Sequence, residues 1–314
     1  MNRKRSGLTI IEILVVVGII ALLAGILVPA ASTVRNMARE VKQRAQLTAI
    51  ELGLAAFKND YGDYPPSDPY SWLGDTTDGR IENSSGAQKL AEALLGWDLL
   101  GFHPDSGFRA DGANRWPYEV DGTQHAQGTY FLYDRGSDTD LEKRKGRYID
   151  LDTAGAFQLG RTGNHDGLFV GDLGPFDSSA DTFVISDVFG KGRDVTLRDG
   201  SREKAGNPIL YYRAHASEKI MDQIYRNADN DSLVYFLKEP ADVARRGTAP
   251  GKAPWNGYWN RLTGAVDRFY NFIEDPRVST AALEVPFKPD SYLLISAGND
   301  GLYGTDDDIC NFKR

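Results

Sequence analysis

Apolar residues are distributed unevenly along the chain, and their spacing changes character as the chain proceeds. From Ile13 to Ala31 nineteen consecutive residues carry no charged or hydroxyl side chain, a length that crosses a bilayer as a helix. From Ser32 to Lys58 the chain turns polar yet keeps helical spacing. Val34, Met37, Val41 and Ala45 form one stripe, and Leu47, Ile50, Leu54 and Phe57 continue it at intervals of three, four and three. No proline lies between Pro29 and Pro65. The pattern predicts one helix of about fifty residues from Leu8 to near Asn59, roughly 75 Å long at 1.5 Å per residue. Its first half faces lipid or sister helices, and its second half lies on a globular domain. A coiled-coil pair would use similar spacing, but the stripe is short and rich in alanine.

Beyond residue 60 the periodicities are shorter. Ala87, Leu90, Ala91, Leu94 and Leu95 fall on one helical face, with Ser84 or Ser85 placed to cap it. Alternating or β-branched runs predict strands at Thr129–Tyr133, Arg147–Leu151, Thr182–Ser186, Ile209–Arg213 and Leu233–Leu237. Leu262, Val266, Phe269 and Ile273 suggest a further short helix. The loops are rich in Gly, Asp and Asn, without repeats. A long helix followed by strands that do not alternate regularly with helices predicts an α+β fold: an N-terminal membrane-spanning helix packed on a C-terminal antiparallel sheet domain.

Charge narrows the partners. The 314 residues include 36 Lys+Arg against 44 Asp+Glu, a formal net charge of −8. No basic cluster follows the first five residues, so no nucleic-acid partner is expected, because a DNA backbone demands a concentrated positive surface. The single cysteine, Cys310, excludes an intrachain disulfide and a Cys-based zinc site. Arg3, Lys4 and Arg5 precede the apolar stretch, which keeps the N-terminus cytoplasmic and sends the remainder across the membrane.

Three readings of the N-terminus compete. A secretory signal peptide could be cut near Val28-Pro29-Ala30, and a plain single-span anchor would also use the apolar stretch. Neither explains Glu12, since a carboxylate entering a membrane costs about 2 to 3 kcal/mol even on lenient scales. The run Ser6-Gly7-Leu8-Thr9-Ile10-Ile11-Glu12-Ile13-Leu14 resembles the class III signal of type IV pilins and type II secretion pseudopilins. The resemblance implies that prepilin peptidase cuts after Gly7 and methylates the new amine of Leu8, with Glu12 at the fifth mature position. Leu8 stands where the family more often has Phe. Pro29 falls where the family often carries a helix-bending proline; by itself it reads equally as a harmless kink or a hinge. Glu12 and the Leu8 amine would offset each other's desolvation if paired across subunits.

Two later stretches extend the resemblance. Leu54 to Pro66 is similar to the end of the long helix in major pseudopilins, with Gly62 suited to a left-handed helix terminus and Pro65 and Pro66 forbidding continuation. Gly206-Asn207-Pro208-Ile209-Leu210-Tyr211-Tyr212 and Asp290 to Gly301 resemble the family's later strands and closing loop. The implied organisation is a leader at 1–7, a helix at 8–59 with its membrane part at 8–31, and an extracytoplasmic domain at 60–314. Insertions near 68–204 and 213–288 resemble nothing familiar.

The C-terminal loop carries candidate metal chemistry. Four Asp lie within nine residues, Asp300 to Asp308, interspersed with Gly298, Gly301 and Gly304; calcium takes carboxylate and carbonyl oxygens from such tightly turning loops. A solvated acidic turn would use the same residues. The loop resembles the calcium loop of major pseudopilins, which implies Asp300, Asp307 and Asp308 as side-chain ligands, carbonyls of Ala297 and Thr305, and Asp306 outside the ligand shell.

The expected function is therefore a structural subunit of a type II secretion pseudopilus or related filament. It would start in the inner membrane and assemble through its helix with copies of itself, with minor pseudopilins and with an assembly platform. Removing Arg3, Lys4 and Arg5 takes the charge from −8 to −11, which disfavours DNA uptake, and the single cysteine departs from disulfide-closed pilins. No enzyme is expected: His103, His125, His165 and His215 stand apart, without a His-x-x-x-His pair or a nucleophile elbow. The alternative is a tethered binder or enzyme in which the insertions act, for instance on carbohydrate through Trp72, Trp97, Trp116, Trp255 and Trp259.

Overall fold

The computed structural model describes residues 9–67, 85–106, 108, 115–116, 130–131, 138–158, 168, 182–190, 193–197, 199–214, 272–280 and 283–312. The chain divides into two compact units, Met1–Lys42 and Gln43–Arg314. Helix α1 runs unbroken over Ile10–Tyr61, as the absence of internal breakers other than Pro29 predicts. It stops where the sequence places its terminus: Gly62 follows at φ 86°, its N–H donating to the Lys58 carbonyl at 2.7 Å.

In the first unit α1 is exposed throughout its apolar run, from Ile10 at 83% to Val28 at 70%. The helix is long and apolar enough to cross a membrane. In the second unit one face of α1 is buried, through Gln43, Gln46, Leu47, Ile50, Gly53, Leu54 and Phe57. The expected continuity of the stripe from Val34 to Phe57 does not hold. Val34, Met37 and Val41 are exposed, as is Leu52. At 100° per residue Val41, Ala45 and Leu52 lie on the side of the helix away from Ile50 and Leu54, so the sequence contains two apolar stripes and the domain covers one.

The domain is built from short elements. Helix α2 (Gly86–Leu95) is opened by a capping box in which Ser85 and Gln88 bond each other's backbone N–H. Strands β1 (Arg115–Trp116) and β2 (Tyr130–Phe131) pair, helices α3 (Asp138–Lys143) and α4 (Leu151–Ala154) follow, and β3 (Ala156–Gln158) pairs with β4 (Phe183–Ile185). Strands β5 (Arg193–Thr196) and β6 (Arg202–Ala205) form a hairpin. The central sheet has the order β7 (Leu210–Arg213), β8 (Tyr292–Ser296), β9 (Ile309–Cys310). Leu210 faces Ile295 across one pair and Ile295 faces Cys310 across the next. Among the described residues every pairing is antiparallel, and the arrangement is α+β, with a long N-terminal helix contacting small sheets, as in pilins.

Side chains alternate across the central sheet, and both faces are buried. Ile209, Tyr211, Tyr292 and Leu294 pack with Leu47, Ile50 and Leu54 of α1 and Leu90 and Leu94 of α2. Leu210, Tyr212, Leu293 and Ile295 pack on the opposite side with Val184, Val195, Ala205 and Ile273. A third cluster closes the C-terminal end of α1, where Phe57, Phe102 and Phe108 meet Tyr61 and Tyr148.

The predicted strand at Arg147–Leu151 does not form. The Tyr148 N–H bonds the Leu94 carbonyl at 2.8 Å, and Asp150 then takes an extended conformation as the residue before α4. Its apolar positions thus serve a turn held on α2 rather than a ladder. The runs at Thr129–Tyr133, Thr182–Ser186 and Ile209–Arg213 contain β2, β4 and β7. The predicted strand Leu233–Leu237 and residues 262–271 of the last predicted helix lie outside the described residues.

Leu54 is fully buried between α1 and the sheet. Leu54→Ala should lower unfolding stability by about 2 to 5 kcal/mol, measured by denaturant titration of the full chain in detergent micelles with tryptophan fluorescence. An unchanged midpoint would contradict this packing.

Candidate functional site

Two places carry the predicted functional residues: the start of α1 and the loop between β8 and β9.

At the start of α1, the Glu12 carboxylate turns back along its own chain. Its Oε2 accepts the Thr9 N–H at 2.8 Å and the Thr9 hydroxyl at 2.9 Å, while the Glu12 N–H reaches Thr9 Oγ1 at 3.3 Å. This is a reciprocal capping box, and it satisfies backbone donors that a helix start leaves open. Thr9 was missed as a functional candidate, although the Thr-x-x-Glu spacing announces it. Gly7 and Leu8 lie outside the described residues. The helix continues through Pro29, whose carbonyl accepts the Ser32 hydroxyl at 2.7 Å and the Thr33 hydroxyl at 3.3 Å. Two hydroxyls thus gather on one carbonyl next to a ring that donates nothing to the helix ladder.

Residues 2–28 match the prokaryotic N-terminal methylation motif. This is the N-terminal signal of type IV pilins and pseudopilins, and the segment is that of a type IV pilin-like protein of the kind prepilin peptidase processes. Motif and exposed apolar helix together are those of a membrane-anchored, extracytoplasmic protein. No curated protein and no solved structure matches the chain.

The second place is the turn from Ala297 to Asp308. Gly298, Gly301 and Gly304 take φ of 62°, 75° and 83°. A Cβ at Gly298 would stand 2.2 Å from the Asp307 carbonyl oxygen, so only glycine lets the two ends of the loop close. The acids brace the turn: Asp307 Oδ2 accepts the Asp300 N–H at 2.8 Å, and Asp307 Oδ1 the Thr305 hydroxyl at 2.6 Å. Asp300 Oδ1 accepts the Leu302 N–H at 2.8 Å and Asp308 Oδ2 the Gly304 N–H at 2.6 Å. The Thr305 carbonyl receives the Asp308 N–H at 3.3 Å, and Ala297 is fully buried. Asp306 is exposed.

Thus Asp300, Asp307 and Asp308 share one loop, yet among the described residues no three acid, His or Cys side chains converge as a ready metal centre. Two oxygens of the loop nevertheless lack what oxygens in a protein interior normally have. Asp308 Oδ1 and Asn299 Oδ1 are shut off from solvent without a hydrogen-bond partner, a condition that a cation would relieve. Asn299 was missed because the sequence offers no reason to prefer its amide to any other turn residue.

Burial, opposed by the Gly304 amide and reinforced by the charges of Asp307 and Asp300, pushes the Asp308 carboxyl up to about 8. Burial also raises Asp300. The folded loop therefore holds a proton that the unfolded chain would release near 3.8. With the folded value above the unfolded one, this stabilising contribution is full below 3.8 and is lost as pH rises through about 8. In chelator, the full chain in micelles should melt at a lower temperature at pH 8.5 than at pH 5.5, and Asp308→Asn should flatten that decline. An equal decline in the variant would contradict the assignment.

Proposed function

We propose that the protein is the precursor of a structural subunit of a type IV pilus-like filament, of the type II secretion pseudopilus class. The observation that carries this reading is the methylation motif at residues 2–28 running directly into a helix whose apolar half stays exposed. Such a surface needs lipid while the subunit is stored and sister helices once it is assembled. Prepilin peptidase would cut after Gly7, leaving the Leu8 amine one residue from Thr9, whose N–H and hydroxyl already hold Glu12. The same carboxylate can then receive the new amine, and pairing across subunits would compete with the capping box. The assembly platform and minor pseudopilins are the further partners of this reading, and the inner membrane is where the subunit waits. No catalytic role belongs to it.

Co-expression with a prepilin peptidase should yield a membrane protein that begins at methylated Leu8, by mass spectrometry of its N-terminal peptide. An intact Met1 or a start near Ala31 would overturn the proposal. Glu12→Ala should still insert and be cleaved, because removing the carboxylate eases insertion, but should no longer enter filaments seen by electron microscopy.

In this reading the β8–β9 loop takes calcium, held by Asp300, Asp307 and Asp308 with carbonyls of Ala297 and Thr305. The orphaned Asp308 Oδ1 supports it. Bound calcium would neutralise the neighbouring carboxylates and stabilise the fold by mass action. Calcium should therefore raise the melting temperature of the full chain at pH 7.5 and Asp307→Ala should abolish that rise, whereas coincident melting curves with calcium and with chelator would rule the ion out.

A further inference from the structure

The segment Ser186–Val188 bonds the long helix on one side and the support of the β8–β9 loop on the other. A trans peptide group points its C=O and its N–H in opposite directions, and in extended backbone the next group reverses both. The Ser186 carbonyl accepts Gln46 Nε2 at 2.9 Å, and the Val188 N–H donates to Gln43 Oε1 at 2.9 Å. Between them the Asp187 N–H turns the other way and donates to the Asn207 carbonyl at 2.8 Å, and Ser186 makes an antiparallel bridge to Pro208. Asn207 and Pro208 in turn hold the loop: Asn207 Nδ2 donates to the Gly301 carbonyl at 3.3 Å, and the Tyr303 hydroxyl donates to the Pro208 carbonyl. There is no slack in this stack. A Cβ at Gly206 would lie 2.0 Å from the Asp187 carbonyl oxygen.

At its helix end the stack meets the part of α1 with the least to lose by opening. Leu47, Ile50, Leu54 and Phe57 bury hydrocarbon, but the two buried residues that precede them are glutamines, 0% and 3% exposed. They are held by hydrogen bonds, Gln43 Oε1 by the Val188 N–H and Gln46 Nε2 by the Thr153, Ala154 and Ser186 carbonyls, and water can replace such bonds at a smaller cost than the loss of buried hydrocarbon.

We propose that ion occupancy of the β8–β9 loop is transmitted through Asn207–Pro208 and Ser186–Val188 to Gln43 and Gln46, and tightens the domain's grip on the helix there. This rests on the calcium reading above. An ion that orders the loop fixes Gly301 and Tyr303, hence Asn207 and Pro208, hence two of the backbone groups that hold the glutamines, the Ser186 carbonyl and the Val188 N–H, beside the Thr153 and Ala154 carbonyls that also accept Gln46 Nε2. The grip is then a linked function of loop occupancy. In a filament subunit the consequence is a domain that holds the first domain-contacting turn of α1 firmly only once the ion is bound.

Hydrogen exchange of the full chain in detergent micelles, read by mass spectrometry with calcium and with chelator, tests the link. Calcium should slow exchange in the loop and also, by about fivefold or more, in the α1 amides between Gln43 and Ile50. Gln46→Met, which keeps the bulk but not the amide, and Tyr303→Phe, which removes only a hydroxyl, should keep the calcium-induced rise in melting temperature and reduce the helix response. Loop protection without helix protection in the unmodified chain would overturn the proposal while leaving the calcium reading intact. So would a helix response undiminished in both variants. No calcium effect on melting or on any exchange rate would instead overturn the calcium reading beneath it.

Discussion

Helix α1 carries an exposed apolar surface and a face sealed against a protein core on one continuous backbone. Pro29 removes one donor from it, and the helix nevertheless runs from Ile10 to Tyr61. On the N-terminal side the side chains are hydrocarbon on every face and exposed. From Gln43 onward one face is sealed against a protein core. Because the helix is continuous, the azimuth of each residue is set by its number alone, and the domain can cover only the residues that share a face with Leu47, Ile50 and Leu54.

That constraint explains the architecture of the domain. The central sheet offers Ile209, Tyr211, Tyr292 and Leu294 to α1 and α2 and buries its other face under a second layer. Strands with both faces covered need no polar alternation, and Tyr292-Leu293-Leu294-Ile295 has none. Polar groups that do enter the interior are put to use. Gln46 ties α1 to the carbonyls of Thr153, Ala154 and Ser186, and in doing so it serves the end of α4, whose last carbonyls have no helical partner. Lys288 and Asn311 both reach Glu51 of α1 at 3.1 Å. These bonds add little stability each, but they are directional where apolar contact is not, and they select one register of helix against sheet.

The two candidate sites follow a common logic. Each places a carboxylate where it is expensive and bonds it, for Asp308 through one oxygen only, from nearby backbone: Glu12 through Thr9, and Asp300, Asp307 and Asp308 through the turn amides they brace. In the proposed reading each also receives a cation, the amine released by processing in one case and a metal ion in the other. Local bonding makes the precursor and the ion-free loop tolerable. The opposite charge would complete them.

The long helix, its terminus at Gly62, the capping of α2 and the strands β2, β4 and β7 were legible in the residues, because each depends on local spacing or local backbone geometry. So was the presence of Glu12 and of the acidic loop, since a charge in an apolar run and four Asp among glycines stand out in any context. Which stripe of α1 the domain covers was not legible: Val41 and Leu54 are equally apolar, and only packing against the sheet distinguishes them. Nor were the buried glutamines, whose partners, backbone carbonyls for Gln46 and the Val188 N–H for Gln43, lie more than a hundred positions away. Arg147–Leu151 reads as a strand by composition and forms none, because a strand exists only where another backbone lies beside it. The sequence by itself determined what is apolar, what is charged and where the helix must stop, since those are properties of neighbouring residues. The tertiary structure alone decided which face is buried, which carboxylate loses its water and which polar groups touch, because each of these depends on what a distant part of the chain brings against it.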